Sequence, residues 1–384
     1  MTESTMRKTR IVMGLLVALG AFVPLPAPAH AETHADVQAV NADGTSAWNG
    51  SFPITLTGVL LCDPEEMLDS TPNFLSWNNG ANAGKLGGEW QIMFQAVEPG
   101  DRGGTTCWMG QNYANRVPPH DDEFSYSNGA WVAEINRLNY DPATGHKFRA
   151  GDLIQVTARQ ALFFGGKRNL NEGHDVDPAA NFDISLLASN YGLPAPEVIT
   201  LADVMRPNDG NPATSEDLFD ATRATGGEHW QGMCVRINGL LMVTTNGWNP
   251  TNLWEARQCT VTVGLGRFFT LRHPRYSLGP APTNKFDAVG IFTQESGSGL
   301  QGTNGYELFV QQVIPQDPPT LAVAQTIALT WPVSGAAYQL EFRTDLNLTN
   351  WFAVTNTPWV IEGQNTVLVA PANPQRFYRL RKTN

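Results

Sequence analysis

The sequence predicts a mainly all-β protein, and three observations support this prediction. Only 16% of its 384 residues are charged, whereas an average soluble domain has about 25%. Glycine (36 residues), proline (26) and tryptophan (11) are abundant, which is typical of turn-rich β structure and disfavours an all-α architecture. Short segments of alternating apolar and polar residues recur in the same order in both halves of the chain, which indicates two small barrels in tandem.

Residues 1–31 are predicted to be a secretory signal peptide. Basic residues between positions 7 and 10 precede an apolar run at 11–22, and Ala29-His-Ala31 offers a small-x-small cleavage site. The apolar run of about 12 residues is shorter than the roughly 20 residues that span a bilayer. We therefore expect an exported protein that is secreted, periplasmic or on the cell surface, with no transmembrane segment after cleavage.

Each of the two repeats is predicted to contain a glycine-bearing first strand. In the first repeat strands are predicted at 54–61, 90–97, 151–158 and 182–188, and in the second at 235–243, 259–263, 286–292 and 306–310. Gly58 and Gly239 permit the bend by which one strand serves both sides of a small closed barrel. We therefore expect two five-stranded OB-type barrels, at residues 50–203 and 230–315.

Short helices are expected in the connections. Trp131, Ile135 and Leu138 are spaced at i, i+4 and i+7, which predicts an amphipathic helix packed on the mouth of the first barrel. Residues 204–229 are proline-rich at their start and are predicted to be a linker with one or two helical turns at 215–223.

The last domain, residues 320–384, is predicted to be a small β-sandwich. Its short strands are expected near 327–331, 338–344, 351–354, 366–369 and 377–381. On Leu329-Thr-Trp-Pro332, Tyr338-Gln-Leu-Glu341 and Gln375-Arg-Phe-Tyr-Arg-Leu380 it resembles the fibronectin-III-like C-terminal modules of exported bacterial proteins. This resemblance implies a spacer, an adhesion unit or an export signal.

Motifs within residues 50–315 carry a second resemblance. They are Leu56-Thr-Gly-Val59, Gly151-Asp-Leu-Ile-Gln-Val-Thr157, Gly166-Lys-Arg-Asn-Leu-Asn-Glu172, Leu193-Pro-Ala-Pro196 with Ile199-Thr-Leu-Ala-Asp203, and Arg236-Ile-Asn-Gly239. On these residues the chain resembles the OB-fold modules appended to secreted bacterial nucleases and the uncharacterised tandem OB-fold proteins that bacteria export. Nothing in the chain matches the catalytic domain of those nucleases, so the resemblance implies the fold, and their hydrolytic activity is not carried over.

The four cysteines are expected to form disulfides, since an exported protein can keep them. They are Cys62, Cys107, Cys234 and Cys259. Of the three possible connectivities, Cys62–Cys107 with Cys234–Cys259 keeps each bridge within one domain. None of them belongs to a Cys-x-x-Cys pair, and none has a histidine within a few residues, so no metal site is predicted on them.

Sequence motifs give no catalytic residue and no cofactor. Gly-x-Ser-x-Gly, His-Glu-x-x-His, P-loop and EF-hand patterns are all absent from the sequence. Acidic clusters at 120–123 and at 175–177 with Asp183 could hold Ca²⁺, but adjacent carboxylates in such loops are more often solvated, so no metal site is predicted. The net charge of −11 disfavours nucleic acid as a partner, because phosphate binding needs a basic surface.

Candidate ligand-binding residues are expected on strands 2–3 and the adjoining loops of the first barrel, where OB folds bind. Aromatic platforms beside basic and amide side chains suit sugar rings or unstacked bases. The candidates are Trp77, Trp108, Tyr113, Lys167, Arg168, Asn169, Asn171 and Glu172. Even if they bind no ligand, Lys167 and Arg168 are expected to face solvent in a β-turn. The alternative for the aromatic residues is that they fill the barrel, which is favoured for Trp90 and Phe94 and stays open for Trp77 and Trp108.

The second barrel offers a comparable but looser group. It consists of Trp230, Trp248, Trp254, Arg267, Arg272, His273 and Arg275, and its basic stretch 267–275 is the most basic part of the two barrels. Three hypotheses follow. The leading one is an exported non-catalytic protein that binds an extracellular glycan or protein partner. A cell-surface structural or adhesion protein and an enzyme without a recognisable motif are the alternatives.

Overall fold

The computed structural model describes residues 32–74, 87–112, 125–171, 181–211, 215–296, 299, 301–316, 326–334, 337–371 and 375–383. Strands predominate among them, and the α-helices of this part of the chain are short, which confirms the predicted all-β class. One compact unit ends at Gln316 and a second begins at Asp317. No helix within the described ranges is long and apolar enough to cross a membrane.

The first sheet is built mainly from residues 54–188. Its elements, with the helix that precedes it, are α1 (His34–Val37), β1 (Ile54–Leu60), β2 (Glu89–Ala96), β3 (Gly104–Gly110), α2 (Asn128–Asn139), β4 (Leu153–Ala158), β5 (Ala161–Phe164), β6 (Lys167–Leu170) and β7 (Asp183–Ala188). The strand order is β5-β6-β3-β2-β1-β4-β7, and only β3 and β6 run parallel. Only residues 159 and 160 separate β4 from β5, so strands near opposite ends of the sheet lie close together and the sheet curls around one core.

Helix α2 confirms the predicted amphipathic helix. The Ser127 hydroxyl accepts a hydrogen bond from the Ala130 amide at 3.2 Å and so caps the helix N-terminus. Trp131, Ile135 and Leu138 are buried in the core of the first sheet. The apolar spacing thus places one face of α2 on that core.

The strand that closes the first sheet differs from the prediction. Residues 182–188 were expected to close the barrel, but β7 only pairs with β4 at one edge. The parallel partner of β3 is β6, which forms a hairpin with β5 through Gly165-Gly166. Residues 167–170, expected in a loop, are therefore a buried strand.

The second sheet contains a closed five-stranded barrel. Its elements are β8 (Glu197–Ile199), α3 (Leu201–Val204), α4 (Gly226–Trp230), β9 (Met233–Met242), β10 (Gln258–Gly264), β11 (Arg267–Arg272), β12 (Phe286–Gln294) and β13 (Tyr306–Pro315). The ring runs β9-β10-β11-β13-β12 and returns to β9, with β11 and β13 parallel. Gly239, at φ +72°, lies where β9 passes from pairing with β12 to pairing with β10, as the sequence predicted.

The helix predicted at 215–223 does not form. Asp217 bridges to Met205, and the Asp220 carboxylate accepts hydrogen bonds from the backbone and hydroxyl groups of Thr222 and Thr225. Such local side-chain bonds compete with helical ones. The helix of the connection, α4, begins later, at Gly226.

The two sheets pack closely within the first unit. The Gly104 amide donates to the Gln231 carbonyl at 3.1 Å, and a Cβ on Gly104 would lie 2.2 Å from the Gly232 carbonyl oxygen. The Cys234 amide donates to Gln95 Oε1 at 2.8 Å. A shared apolar cluster lies at this contact and consists of Leu61, Cys62, Met67, Leu68, Met93, Cys234, Trp254, Ile291 and Phe309. We refer to this region as the inter-sheet contact.

The predicted disulfides are not formed, because all four cysteines are buried free thiols. Cys107 on β3 pairs with Ile92 on β2, whereas Cys62 follows β1 on the far side of β2. Second-neighbour strands lie about 9.5 Å apart, beyond the roughly 7 Å Cα separation that a disulfide spans. Cys234 lies near the start of β9, while Cys259 on β10 lies beside the residues just after the end of β9. The two cysteines are therefore separated by nearly the whole length of β9.

The second unit contains two three-stranded sheets. Its strands are β14 (Ile327–Pro332), β15 (Tyr338–Arg343), β16 (Phe352–Ala353), β17 (Trp359–Ile361), β18 (Gln364–Val369) and β19 (Phe377–Lys382). The orders are β14-β18-β17 and β16-β15-β19. Trp331, Leu340, Val367 and Val369 form its buried core. The pattern of apolar and polar residues did not predict strand β17, because its three residues are all exposed and follow no alternation.

Candidate functional site

Lys167 and Arg168, expected to face solvent, are buried and engaged by other parts of the protein. Only 4% of Lys167 and 8% of Arg168 is exposed. Lys167 Nζ donates to the Gln294 carbonyl and forms an ion pair with Glu295 at 2.7 Å. The Arg168 guanidinium lies 4.5 Å from the Trp48 ring, and its burial lowers its pKa. The solvated turn predicted for this pair is therefore wrong.

The other predicted site residues lie in the interior or outside the described residues. Asn169 and Asn171 on and after β6 are buried, and Trp108 on β3 is half-buried against the inter-sheet contact. Trp77, Tyr113 and Glu172 lie outside the described residues, as do the acidic clusters at 120–123 and 175–177. Within the described ranges no group of three or more His, Cys, Asp or Glu side chains is arranged to hold a metal ion.

A pocket of about 300 Å³ lies at the edge of the inter-sheet contact. One wall comes from the segment that follows β1, and the other from the β9–β10 connection and from Arg275, which follows β11. Its lining consists of Leu68, Asp69, Phe74, Pro250, Thr251, Asn252, Trp254, Arg257 and Arg275. We call it the inter-sheet pocket.

The β9–β10 connection is held in shape by its own side chains. Asn249 Oδ1 accepts hydrogen bonds from the amide and hydroxyl of Thr251 at 3.0 and 2.8 Å. Asn252 Nδ2 donates to the carbonyls of Asn246 and Ala256, both at 3.2 Å. Residues Trp254–Ala256 form a short 3-10 helix. These hydrogen bonds join residues that are close in sequence, and they give the rim of the pocket its shape.

A buried ion pair supports the pocket wall at Trp254. Arg272 donates from Nε and Nη2 to the two carboxylate oxygens of Glu307, each at 2.8 Å, and both side chains are almost fully buried. Arg272 Nη1 also donates to the Trp254 carbonyl at 2.7 Å, and its guanidinium lies 3.9 Å from the Trp254 ring. The pair therefore fixes Trp254, which is buried at the pocket wall.

Arg275 connects the two walls. Its Nη1 donates to the carbonyls of Glu65 and Leu68, both at 3.1 Å, and its Nη2 pairs with the Asp69 carboxylate. Its backbone amide donates to the Glu66 carbonyl at 2.9 Å. One arginine of the second sheet thus holds the segment that follows β1.

Arg257 is the third guanidinium of this group and is only 2% exposed. Its Nη1 donates to the His273 carbonyl at 2.7 Å and its Nη2 to the Met67 carbonyl. Burial, followed by repulsion from Arg272 and Arg275, lowers its pKa to about 9. The pocket therefore contains a cation that is held by carbonyl groups and remains charged at neutral pH.

Sequence patterns had identified part of this site. Trp254, Arg272 and Arg275 belong to the group predicted on the second barrel, and the structure brings them together. Trp230 and Arg267 belong to the same group but do not line the pocket. Arg257 was missed, and so was the wall formed by Leu68, Asp69 and Phe74. No local pattern marks these residues, because they meet the second sheet only through the tertiary fold.

The arrangement can bind a small polar group through guanidinium, amide and hydroxyl donors beside an aromatic surface. Comparisons of the chain with protein-family models, with curated proteins and with solved structures find no match.

Proposed function

We propose that this is an exported, non-catalytic protein that binds an extracellular glycan in the inter-sheet pocket. The observation that carries the proposal is the lining itself. Arg257 and Arg275 face a shared space with Thr251, Asn252 and an aromatic edge. Sugars are recognised by this combination of hydrogen-bonding groups and apolar ring faces.

An OB-type interpretation of the second barrel supports this choice of site. In its ring the third and fifth strands in chain order, β11 and β13, are the parallel pair. We propose that this five-stranded Greek-key closure is OB-like. In OB folds the loop between the first two strands contributes to oligosaccharide and oligonucleotide binding. The β9–β10 connection is that loop, and it supplies five of the pocket residues.

Binding is favoured over catalysis by the ionisable groups of the pocket. Those that line it are Arg257, Arg275 and Asp69, and Asp69 is engaged by Arg275. General acid–base catalysis needs a group free to exchange a proton near neutral pH. Two arginines and a paired carboxylate suit recognition instead.

Export rests on the sequence of residues 1–31, which lie outside the described residues. The proposed mature chain begins at Glu32, and this residue already belongs to the fold, since Trp48 Nε1 donates to its carboxylate at 3.2 Å. Mass spectrometry of the protein released by its host would test this point. An intact N-terminus at residue 1 would contradict it.

A glycan array probed with the mature protein tests the proposed function. Phe74→Ala should weaken binding of any positive glycan at least tenfold, because the half-buried ring forms part of the wall. Phe268→Ala is the matched control, since Phe268 is an exposed aromatic of β11 that does not line the pocket. Equal binding by wild type, Phe74→Ala and Phe268→Ala would place the ligand elsewhere and refute the proposal.

Adhesion through the second unit is the second candidate. Strand β17 is an edge strand, and its Trp359, Val360 and Ile361 are 62%, 66% and 51% exposed. Exposed apolar edges can pair with another chain. Truncation after Gln316 separates the two functions: retention of glycan binding with loss of cell-surface attachment would assign adhesion to the second unit.

A further inference from the structure

We propose that the inter-sheet pocket is an oxyanion site, and that the sugar entering it carries a carboxylate or a sulfate group. This inference rests on the proposed function and specifies its ligand. The observations that carry it are the balance of charge around the pocket and the hydrogen bonds of one arginine.

Three guanidinium groups meet in this part of the inter-sheet contact, and two of them form ion pairs. Arg272 is paired with Glu307, and Arg275 is paired with Asp69. Arg257 has no carboxylate partner among the described residues, since it donates only to main-chain carbonyls there. One guanidinium is therefore left without a direct ion pair among the described residues.

The hydrogen bonds of Arg257 are also incomplete. Its Nε is buried and has no acceptor within the described part of the chain. Burying an unbonded donor costs free energy, and burying an unpaired charge costs more. Burial, followed by repulsion from Arg272 and Arg275, lowers the pKa of Arg257. A compact oxyanion beside this guanidinium would provide both a counter-charge and additional acceptors.

The pocket's size favours a single acidic sugar residue over a longer stretch of polymer. Its volume of about 300 Å³ is at the small end of the roughly 300–1,000 Å³ typical of ligand pockets. Thr251 and Asn252 offer polar groups for ring hydroxyls, and Phe74 offers an apolar surface. Asp69 attracts Arg257 but forms its direct ion pair with Arg275.

A charge introduced at the rim tests the inference without disturbing buried residues. Thr251 lines the pocket and is exposed, so Thr251→Glu adds a negative charge there, and Thr251→Gln is the neutral control of similar shape. Arg257→Met is a second variant, which removes the cation and keeps an unbranched side chain. Calorimetric titration would use oligogalacturonate, a sulfated dextran oligosaccharide, a neutral dextran oligosaccharide of equal length and poly-glutamate.

The expected result is that one or both acidic oligosaccharides bind at least tenfold more tightly than the neutral one. Thr251→Glu and Arg257→Met should each lose at least tenfold in that affinity, and Thr251→Glu should bind at least fivefold more weakly than Thr251→Gln, which changes the same side chain without adding charge. A preference for oligogalacturonate identifies a carboxylate, and a preference for the sulfated sugar identifies a sulfate.

Two outcomes would overturn the inference. Equal binding of neutral and acidic oligosaccharides, unaffected by Thr251→Glu, would refute the oxyanion site and leave glycan binding intact. Tighter binding of poly-glutamate would replace the sugar with an acidic protein partner. If no oligosaccharide binds but millimolar sodium sulfate raises the melting temperature of wild type and Thr251→Gln and not of Thr251→Glu, the oxyanion site stands and the glycan function fails.

Discussion

The buried ion pair between Arg272 and Glu307, which holds Trp254 at the pocket wall, provides a direct test of the fold. Glu307→Gln keeps the shape of the side chain but removes the charge that faces Arg272, whose side chain is 2% exposed. Arg272 would then be a buried cation facing an amide that can accept only one of its two bonds. Breaking a buried pair in this way costs about 3–5 kcal/mol. For a unit of this size, at about 2 °C per kcal/mol, the melting temperature should fall by about 6–10 °C.

Differential scanning calorimetry would measure this effect against a matched control. Asp183→Asn makes the same chemical change in a carboxylate that is 57% exposed and pairs with Arg137 and Arg159. Exposed pairs contribute about 0–1 kcal/mol, so this variant should melt within about 2 °C of wild type. If Glu307→Gln were as mild as Asp183→Asn, the pair would not be the support that its geometry indicates.

A double variant separates the cost of a broken pair from the value of an intact one. Arg272→Met with Glu307→Leu removes both charges, and replacing a buried pair with apolar side chains is often neutral. The double variant should therefore recover part of the stability lost in Glu307→Gln. It should not recover all of it, since Trp254 loses the guanidinium that lies against its ring and the hydrogen bond to its carbonyl. A double variant less stable than Glu307→Gln would contradict this account.

Three further predictions concern the inter-sheet contact and pH. Gly104→Ala should lower the free energy of unfolding by about 2–3 kcal/mol, because its Cβ would meet a carbonyl oxygen of the facing backbone at 2.2 Å. Gly129→Ala is the control: Gly129 lies in helix α2 with open space around it, so this variant should raise the free energy of unfolding by about 0.5–1 kcal/mol. Urea unfolding measures both changes. Burial raises the pKa of Glu228 to about 7. The contribution of Glu228 to stability is therefore complete below its unfolded pKa and is lost as pH rises through about 7, a change of about 3 kcal/mol in the free energy of unfolding. Glu228→Gln should remove this change from the pH profile of urea unfolding. Affinity for an acidic oligosaccharide should persist from pH 7 to pH 8, because both values lie below the pKa of about 9 to which burial, followed by repulsion from Arg272 and Arg275, lowers Arg257, and calorimetric titration at the two pH values would detect a loss.

Local patterns predicted the elements that local forces determine. Helix α2 follows from the spacing of Trp131, Ile135 and Leu138 and from its serine cap. The bend of β9 follows from Gly239, because the backbone there adopts a positive φ that glycine tolerates best. In both cases the residues that matter lie within a few positions of one another, so one sequence is enough to identify them.

Strand β6 could not be predicted in the same way. Lys167, Arg168 and Asn169 have the composition of a solvated loop, yet they are buried. Their partners lie far away in sequence: the Arg168 amide and carbonyl bond the side chain of Gln38, and Lys167 reaches Glu295. Burial of these polar groups is compensated by tertiary contacts, which composition does not reveal. The disulfide prediction was wrong for a related reason, since strand register is not visible in cysteine spacing.

The inter-sheet contact also determines where a ligand can bind. Arg257 and Arg275 donate to carbonyls of Met67, Glu65 and Leu68, so the segment after β1 is held in place by arginines of the second sheet. Opening the pocket would break several of these bonds, and the pocket is therefore formed before a ligand arrives. A preformed site loses little conformational entropy on binding. Charge should then control affinity, and added salt should weaken binding of an acidic sugar far more than binding of a neutral one.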